Sequence, residues 1–350
     1  VVGVDSQYGK GDLDGGDFDY TINADGSDPP DGNSIPLNID ANIIDTRNFG
    51  GLYGFVAWTP DWRWRLEGGL RLNLTDESRD TTVQDFVPAT LDQGTDHASE
   101  SRPSGSAGVT FTAWQRGADN VRIFADYRKT YKPAAVDFGL NAEARILDPE
   151  TSESIELGVR TTLLEQRLEL EMSVFNMELQ NLVVPTTVNG LPALENAGAE
   201  QFKGIELEAT GRLPHDIVVR AAGSYHDATF LDYVRDFDGV PTQLEGKRQE
   251  MTPIWLAGAG IVYAPAKGFI AHAEASFTGS RYLNKRNTAL AAQFTTWGMG
   301  VGWRGDRFTI RLDGTNLGDE RPPVSESELA DASYYLLEAR RIWLSFDWLF

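Results

Sequence analysis

The chain has 350 residues, 41% hydrophobic and 11% aromatic, with a formal charge of −21 and no cysteine. Without cysteine there is no disulfide framework, no thiolate metal site and no cysteine nucleophile, and the acidity argues against nucleic acid and anionic membrane surfaces as partners. No run approaches about 18 apolar residues, which excludes a transmembrane helix but not a membrane barrel, whose strands are about ten alternating residues.

The chain opens on "VVGVDSQYGK", which has neither the basic nor the apolar region of a signal peptide. A mature form or a fragment of an exported protein is therefore expected. Next, Asp12, Asp14, Asp17 and Asp19 crowd around Gly15 and Gly16. Carboxylates in such a cluster could hold calcium, although the glutamate that closes a helix–loop–helix calcium loop is missing. A solvated, self-repelling acidic loop is the alternative. No other cofactor is expected.

From residue 47 onward, segments with a period of two follow one another. Trp62, Trp64, Leu66, Leu70, Leu72 and Leu74 alternate with Arg63, Arg65, Glu67, Arg71 and Asn73. Val121, Ile123, Ala125 and Tyr127 alternate with Arg122, Phe124, Asp126 and Arg128. Similar runs follow with Arg160, with Glu206 and Glu208, and with Arg307 and Arg311 on the charged side. The final "RRIWLSFDWLF" sets Ile342, Leu344, Phe346, Trp348 and Phe350 against Arg341, Trp343, Ser345, Asp347 and Leu349. Alternate residues of a strand point to opposite faces. Each segment therefore has one apolar and one charged face, and no helical period competes.

The connections come in two sizes. Tight ones are expected at 59–61, 116–119, 163–166, 213–216, 264–267 and 304–306. Long polar ones are expected at 75–103, 132–151, 185–196, 231–252, 282–292 and 317–337. Alternation of the two puts all tight turns at one end of an antiparallel sheet and all long loops at the other, as in an outer-membrane barrel. Trp58, Trp62, Trp64, Tyr263, Trp303 and Trp348 suit aromatic girdles. About thirteen strands are expected from residue 47, with one more at 1–10. The fold class is all-β, an antiparallel transmembrane barrel.

Several local patterns stand in a known order. Tyr131 and Pro133 precede Pro149, Glu150, Glu156, Leu157 and Gly158. Asn196, Gly198, Gly204, Ile205 and Glu206 follow, then Gly246 and Pro253, then Asn316, Leu317 and Asp319, and finally the aromatic C-terminus. Across residues 120–350 this order resembles the TonB-dependent outer-membrane receptors. The resemblance implies the C-terminal part of a 22-strand barrel, spanning 47–350, with residues 1–46 as an acidic extracellular loop and a possible partial strand. It implies energy-coupled uptake of a scarce ligand, first a ferric siderophore, in the outer membrane of a Gram-negative bacterium. The implied partners are outer-membrane lipid, a TonB-type complex acting through a plug outside this chain, and the barrel-assembly machinery, which would read Phe346, Trp348 and Phe350.

On that view Arg63, Arg65, Arg122, Arg128, Arg160, Glu206, Glu208 and Arg311 line the lumen, where plug contacts and cross-strand ion pairs are the plain alternative to ligand contact. Phe86, Phe138, Phe230, Tyr233, Tyr282 and Tyr334 are candidate ligand contacts in the outer loops. His97, His215, His226 and His272 are scattered, and no catalytic constellation stands out, so no enzyme is expected. Two other readings compete. A self-contained passive channel of about fourteen strands would conduct ions alone, and a soluble all-β binding protein would bury the terminal aromatics in a core.

Overall fold

The computed structural model describes residues 1–18, 37–86, 89–134, 145–188, 191–237, 240–326 and 334–350. Fourteen strands form one antiparallel sheet in which almost every strand pairs with its neighbours in sequence. They are β1 (Val2–Asp17), β2 (Ile39–Asp61), β3 (Trp64–Phe86), β4 (Ala89–Arg116), β5 (Asp119–Lys132), β6 (Glu150–Leu163), β7 (Leu168–Val188), β8 (Leu191–Leu213), β9 (Ile217–Asp232), β12 (Trp255–Tyr263), β13 (Gly268–Thr278), β16 (Phe294–Arg304), β17 (Phe308–Thr315) and β20 (Arg341–Trp348). Three short hairpins interrupt the order: β10 (Val234–Phe237) with β11 (Val240–Gln243), β14 (Arg281–Tyr282) with β15 (Leu290–Ala291), and β18 (Pro323–Glu326) with β19 (Tyr334–Leu336). Among the described residues β1 and β20 share no ladder, so the sheet is open.

The sheet is inside-out relative to a water-soluble protein. On β3 the buried residues are Asn73, Thr75, Glu77, Arg79 and Thr81, all polar. On the alternate phase, Leu70, Leu72 and Leu74 are 77%, 43% and 49% exposed. An apolar face that no protein covers requires lipid. The outward face then changes character along the same strand. After Leu74 come Asp76, Ser78 and Asp80, still outward but polar. The apolar stretch from Trp64 to Leu74 is about 33 Å along the strand and, at the usual tilt, about 25 Å across the bilayer. Strand β12 shows the band on its own. Its outward set is Trp255, Ala257, Ala259, Ile261 and Tyr263, aromatic at both ends and aliphatic between.

The last strand belongs to this outer surface. Leu344, Phe346, Trp348 and Phe350 are 67%, 61%, 49% and 115% exposed. Phe308 on β17 stacks beside Phe346 and Trp348, with centroids 6.3 and 6.4 Å away. The terminal aromatics thus face the band, and no core covers them.

Three expectations change. Val2–Asp17 is a strand over its whole length, paired residue by residue with Ile39–Gly54, and residues 39–46 are the start of β2. So the strand expected at 1–10 runs on to Asp17, and residues 39–46 carry ladder where an acidic loop was expected. Likewise 75–103 is no loop. Its two arms continue β3 and β4 in unbroken register from Thr75↔Glu100 to Phe86↔Ala89. The connection expected at 185–196 is likewise ladder, with β7 and β8 paired from Pro185↔Leu194 to Val188↔Leu191. Pairing needs only that the outward face suit its solvent. Above the band that solvent is water, so aspartate and threonine replace leucine without breaking the ladder.

A conventional apolar cluster is found in an outer connection. Val184, Phe230, Tyr233 and Leu244 are buried together, with Leu182 and Phe237 against them. Two predictions follow from these placements. Leu70→Arg, near the middle of the lipid band, costs the inserted barrel about 2–4 kcal/mol, whereas Asp76→Arg, above the band, costs about 0–1 kcal/mol; refolding of the full-length protein into lipid vesicles, followed by denaturant titration, distinguishes them. Leu244→Ala loosens its connection by about 2–5 kcal/mol, read as faster amide exchange at Leu244 and Gly246 with exchange on β3 unchanged.

Candidate functional site

The face opposite the apolar band holds the chemistry. Strand register aligns its charges in rows. Arg122 stands opposite Arg160, Arg160 opposite Glu171, and Glu171 opposite Glu208. Two arginines placed side by side repel, and the structure relieves this on both sides. Arg160 pairs with Glu171 at 2.8 Å, and its guanidinium lies 4.4 Å from the Phe124 ring centre. Phe124 is buried because Gly158 on β6 leaves room for the ring. Arg65 pairs with Glu67 at 2.6 Å, His226 lies 3.5 Å from Glu206, and Arg311 lies 3.9 Å from Asp347. Arg128 stands opposite Ser106 and Ser154. Arg63 is a correction. It lies in the tight turn between β2 and β3, with its guanidinium over the Trp62 ring at 4.8 Å. The strand ends at Asp61, whose carboxylate accepts from the Arg63 amide at 2.7 Å and closes the turn.

Farther along, the wall loses its side chains. The middle inward positions of β12 are Gly258 and Gly260, and those of β16 are Gly298, Gly300 and Gly302. Neighbouring side chains fill the space a Cβ would need: Glu274 over Gly298, His272 and Asp313 over Gly300, Arg311 over Gly302. A cavity of ≈ 810 Å³ lies along this wall, with Glu208, Arg220, His272, Glu274 and Asn316 among its lining residues.

Above the band, β2 and β3 bury a charge network. Arg47 pairs with Glu77 at 2.6 Å and donates to the Ala134 carbonyl at 2.6 Å. Arg79 and Asp45 approach to 3.7 Å and are almost fully buried. Burial, and then the Glu77 charge, push the Asp45 carboxyl up to about 6 against the pull of Arg79 and Arg47. Thr75 and the Tyr131 hydroxyl share a hydrogen bond of 2.8 Å. These contacts hold the segment after β5 against the inner face of β2 and β3. Sequence reading missed Asp45, Glu77 and Arg79 because they fall where loop was expected, and Arg47 because it stands at the very start of the expected strands. Their alternation with Ile44, Thr46, Asp76 and Ser78 was the available signal.

The outer-loop aromatics divide. Phe230 and Tyr233 are 1% and 3% exposed, with ring centroids 5.2 Å apart, in the apolar cluster that joins the ends of β7 and β9 to the connection after β9. The Tyr233 hydroxyl donates to Glu195 at 2.6 Å, and burial followed by that carboxylate holds its proton far more tightly than usual. Both residues therefore serve the loop, and neither presents its ring to an incoming molecule. Phe86 is 45% exposed at the tip of β3. Tyr282 and Tyr334 are half-buried. Phe138 lies outside the described residues.

The aspartate cluster is also drawn apart. Strand β1 places Asp12 and Asp14 on one face and Asp17 on the other. Asp12 faces Lys10 at 3.4 Å, and Asp14 accepts from the Asn42 amide. Asp19 lies outside the described residues. Among the described residues no group of three or more histidines and carboxylates is gathered for a metal ion.

Comparison with known proteins places this geometry. Residues 2–317 match the family described as TonB dependent receptor-like, beta-barrel. The pesticin receptor of Yersinia enterocolitica is 23% identical over 277 residues, 77% of this chain and 39% of that protein. A probable TonB-dependent siderophore receptor, PiuA of Acinetobacter baumannii, is 25% identical over 202 residues, 55% of this chain and 25% of that protein. The crystal structure of the ferric yersiniabactin uptake receptor FyuA from Yersinia pestis superposes with a TM-score of 0.77 at 18% identity, covering 99% of this chain and 50% of that one. The chain thus spans about half or less of the length of these proteins. With the family matched over most of its length, on a sheet that is apolar outside and charged within, the chain belongs to the TonB-dependent receptors and forms part of their β-barrel.

Proposed function

We propose that this chain is the barrel wall of an outer-membrane receptor that takes up a ferric siderophore by TonB-dependent transport. The observation that carries the reading is the family match over residues 2–317 on a sheet with one apolar face and one charged face. A wall with rows of arginine and glutamate suits a water-filled lumen and a polar plug, and suits no apolar filling. Relatives described as siderophore receptors support the ligand class. The work done is movement, with no bond made or broken, and the paired charges of the wall have structural parts to play.

The exposed aromatics Phe346, Trp348 and Phe350 on the last strand fit recognition by the barrel-assembly machinery, and the apolar band fits outer-membrane lipid. Coupling to the inner-membrane motor would pass through a plug supplied outside these residues. The test is uptake of radiolabelled ferric siderophores by iron-starved cells that carry or lack the full-length gene. Expected is uptake of at least one siderophore that is lost on deletion and also lost when TonB is removed. Uptake that survives loss of TonB while still requiring the gene would favour a passive channel instead.

A further inference from the structure

The connection between β13 and β16 ties its neighbours together. Asn287, with a left-handed φ of 58°, accepts from the Arg248 amide at 2.7 Å and donates to the Arg248 carbonyl at 2.8 Å. The Met251 amide donates to the Tyr282 carbonyl at 2.7 Å. Arg286 lies over the Phe237 ring at 4.7 Å. On the other side Arg281 donates to the Pro323 carbonyl. The connections after β9, β13 and β17 are therefore one body, docked on the upper ends of β8 and β9.

Beneath that body sits Glu200 of β8. It is 1% exposed, and neither carboxylate oxygen has a hydrogen-bond partner. Its ladder partners are Leu179 and Phe230, both apolar. The charged groups that face it come from the two loops above, Glu250 and Lys285. Lys285 pairs with Glu250 at 3.1 Å, and the second Glu250 oxygen is also buried without a partner. The nearby carboxylates of its own strand and of β9 are engaged elsewhere, Glu195 by Tyr233 and Asp227 by Arg248 and Lys203.

Two carboxylates and one ammonium leave one buried negative charge. Such a charge is costly unless neutralised. A further metal cation would meet the Lys285 ammonium, whereas a proton on Glu200 meets no such repulsion. We propose that Glu200, Glu250 and Lys285 form a proton-operated latch: with Glu200 protonated the loops stay docked, and with Glu200 ionised they part. The direction is fixed by linkage. Burial first, and then Glu250, push the Glu200 carboxyl up to about 7 in the docked state. Docking is then favoured in full below the ordinary carboxylate range and is lost as pH rises toward about 7.

The test uses the full-length receptor with spin labels at Glu245→Cys and Leu290→Cys, two exposed positions on the two loops. Distances are measured at pH 5 and pH 8. A single short distance is expected at pH 5, with a longer population at pH 8, the docked-to-parted ratio falling on the order of 10- to 100-fold. Glu200→Gln, neutral at both values, keeps the short distance throughout. Glu250→Gln lowers the midpoint by removing the second carboxylate. The latch is overturned if the distances are the same at pH 5 and 8, or if the response persists in Glu200→Gln. Should Glu200→Gln fail to assemble, an unshifted midpoint in Glu250→Gln overturns it equally. The readout is loop separation, so it stands apart from which ligand, if any, is transported.

Discussion

Inside a bilayer no water is available to a backbone amide or carbonyl, so each must find its partner within the protein. The continuous ladder from β1 to β20 meets this demand in its interior. Everything else about the wall follows from it. Once the ladder fixes the strands, the side chains can go only outward or inward. Leu70, Leu72 and Leu74 go to lipid, and Asn73, Thr75 and Glu77 go inward. The familiar rule of an apolar core is reversed because the solvent on the outside is itself apolar.

The inward face must then carry polar groups without leaving them unpaired. Arg160 with Glu171 and Arg65 with Glu67 do so as ion pairs that are each of modest worth where water reaches them. The network of Asp45, Arg47, Glu77 and Arg79 is different. It is buried under the segment after β5, where charges are expensive unless matched. Its value is in fixing where that segment lies. The same distinction separates the exposed pairs on the wall from Glu200, whose burial leaves it no partner among the hydrogen-bonding groups around it.

The wall was legible in the sequence because lipid imposes a period of two with one apolar phase. The runs around Trp64–Leu74, Val121–Tyr127 and Phe346–Phe350 read directly as strands, and their tight turns fell within a residue or two of the observed ones. Reading failed above the band. There the outward phase becomes polar, as at Asp76, Ser78 and Asp80, and the period is carried only by which polar residues are buried. Residues 75–103 and 11–17 looked like loop for that reason. Of the site, the charged phase of the strands was legible, except that Arg63 was assigned to it from parity alone, two positions past the end of β2. Phe230 and Tyr233 were misread for another reason. An aromatic in a long connection can serve that connection's own packing, and only the fold of Val184 and Leu244 against them reveals which.

The outward face of β12 has a further consequence. From Trp255 to Tyr263 it measures about 26 Å along the strand, and about 20 Å along the membrane normal at the usual tilt. Rings of this kind settle at headgroup depth, so their separation acts as a gauge of the hydrocarbon they fit. The gauge reads thin. In a thicker bilayer one ring would be drawn into the acyl chains, and the sheet would have to stand its strands more upright or compress the lipid around it, each at a modest cost per ångström. A thin bilayer lets both aromatic rows rest at once, so the spacing of two rings on one strand helps decide in which membrane the whole wall is at ease.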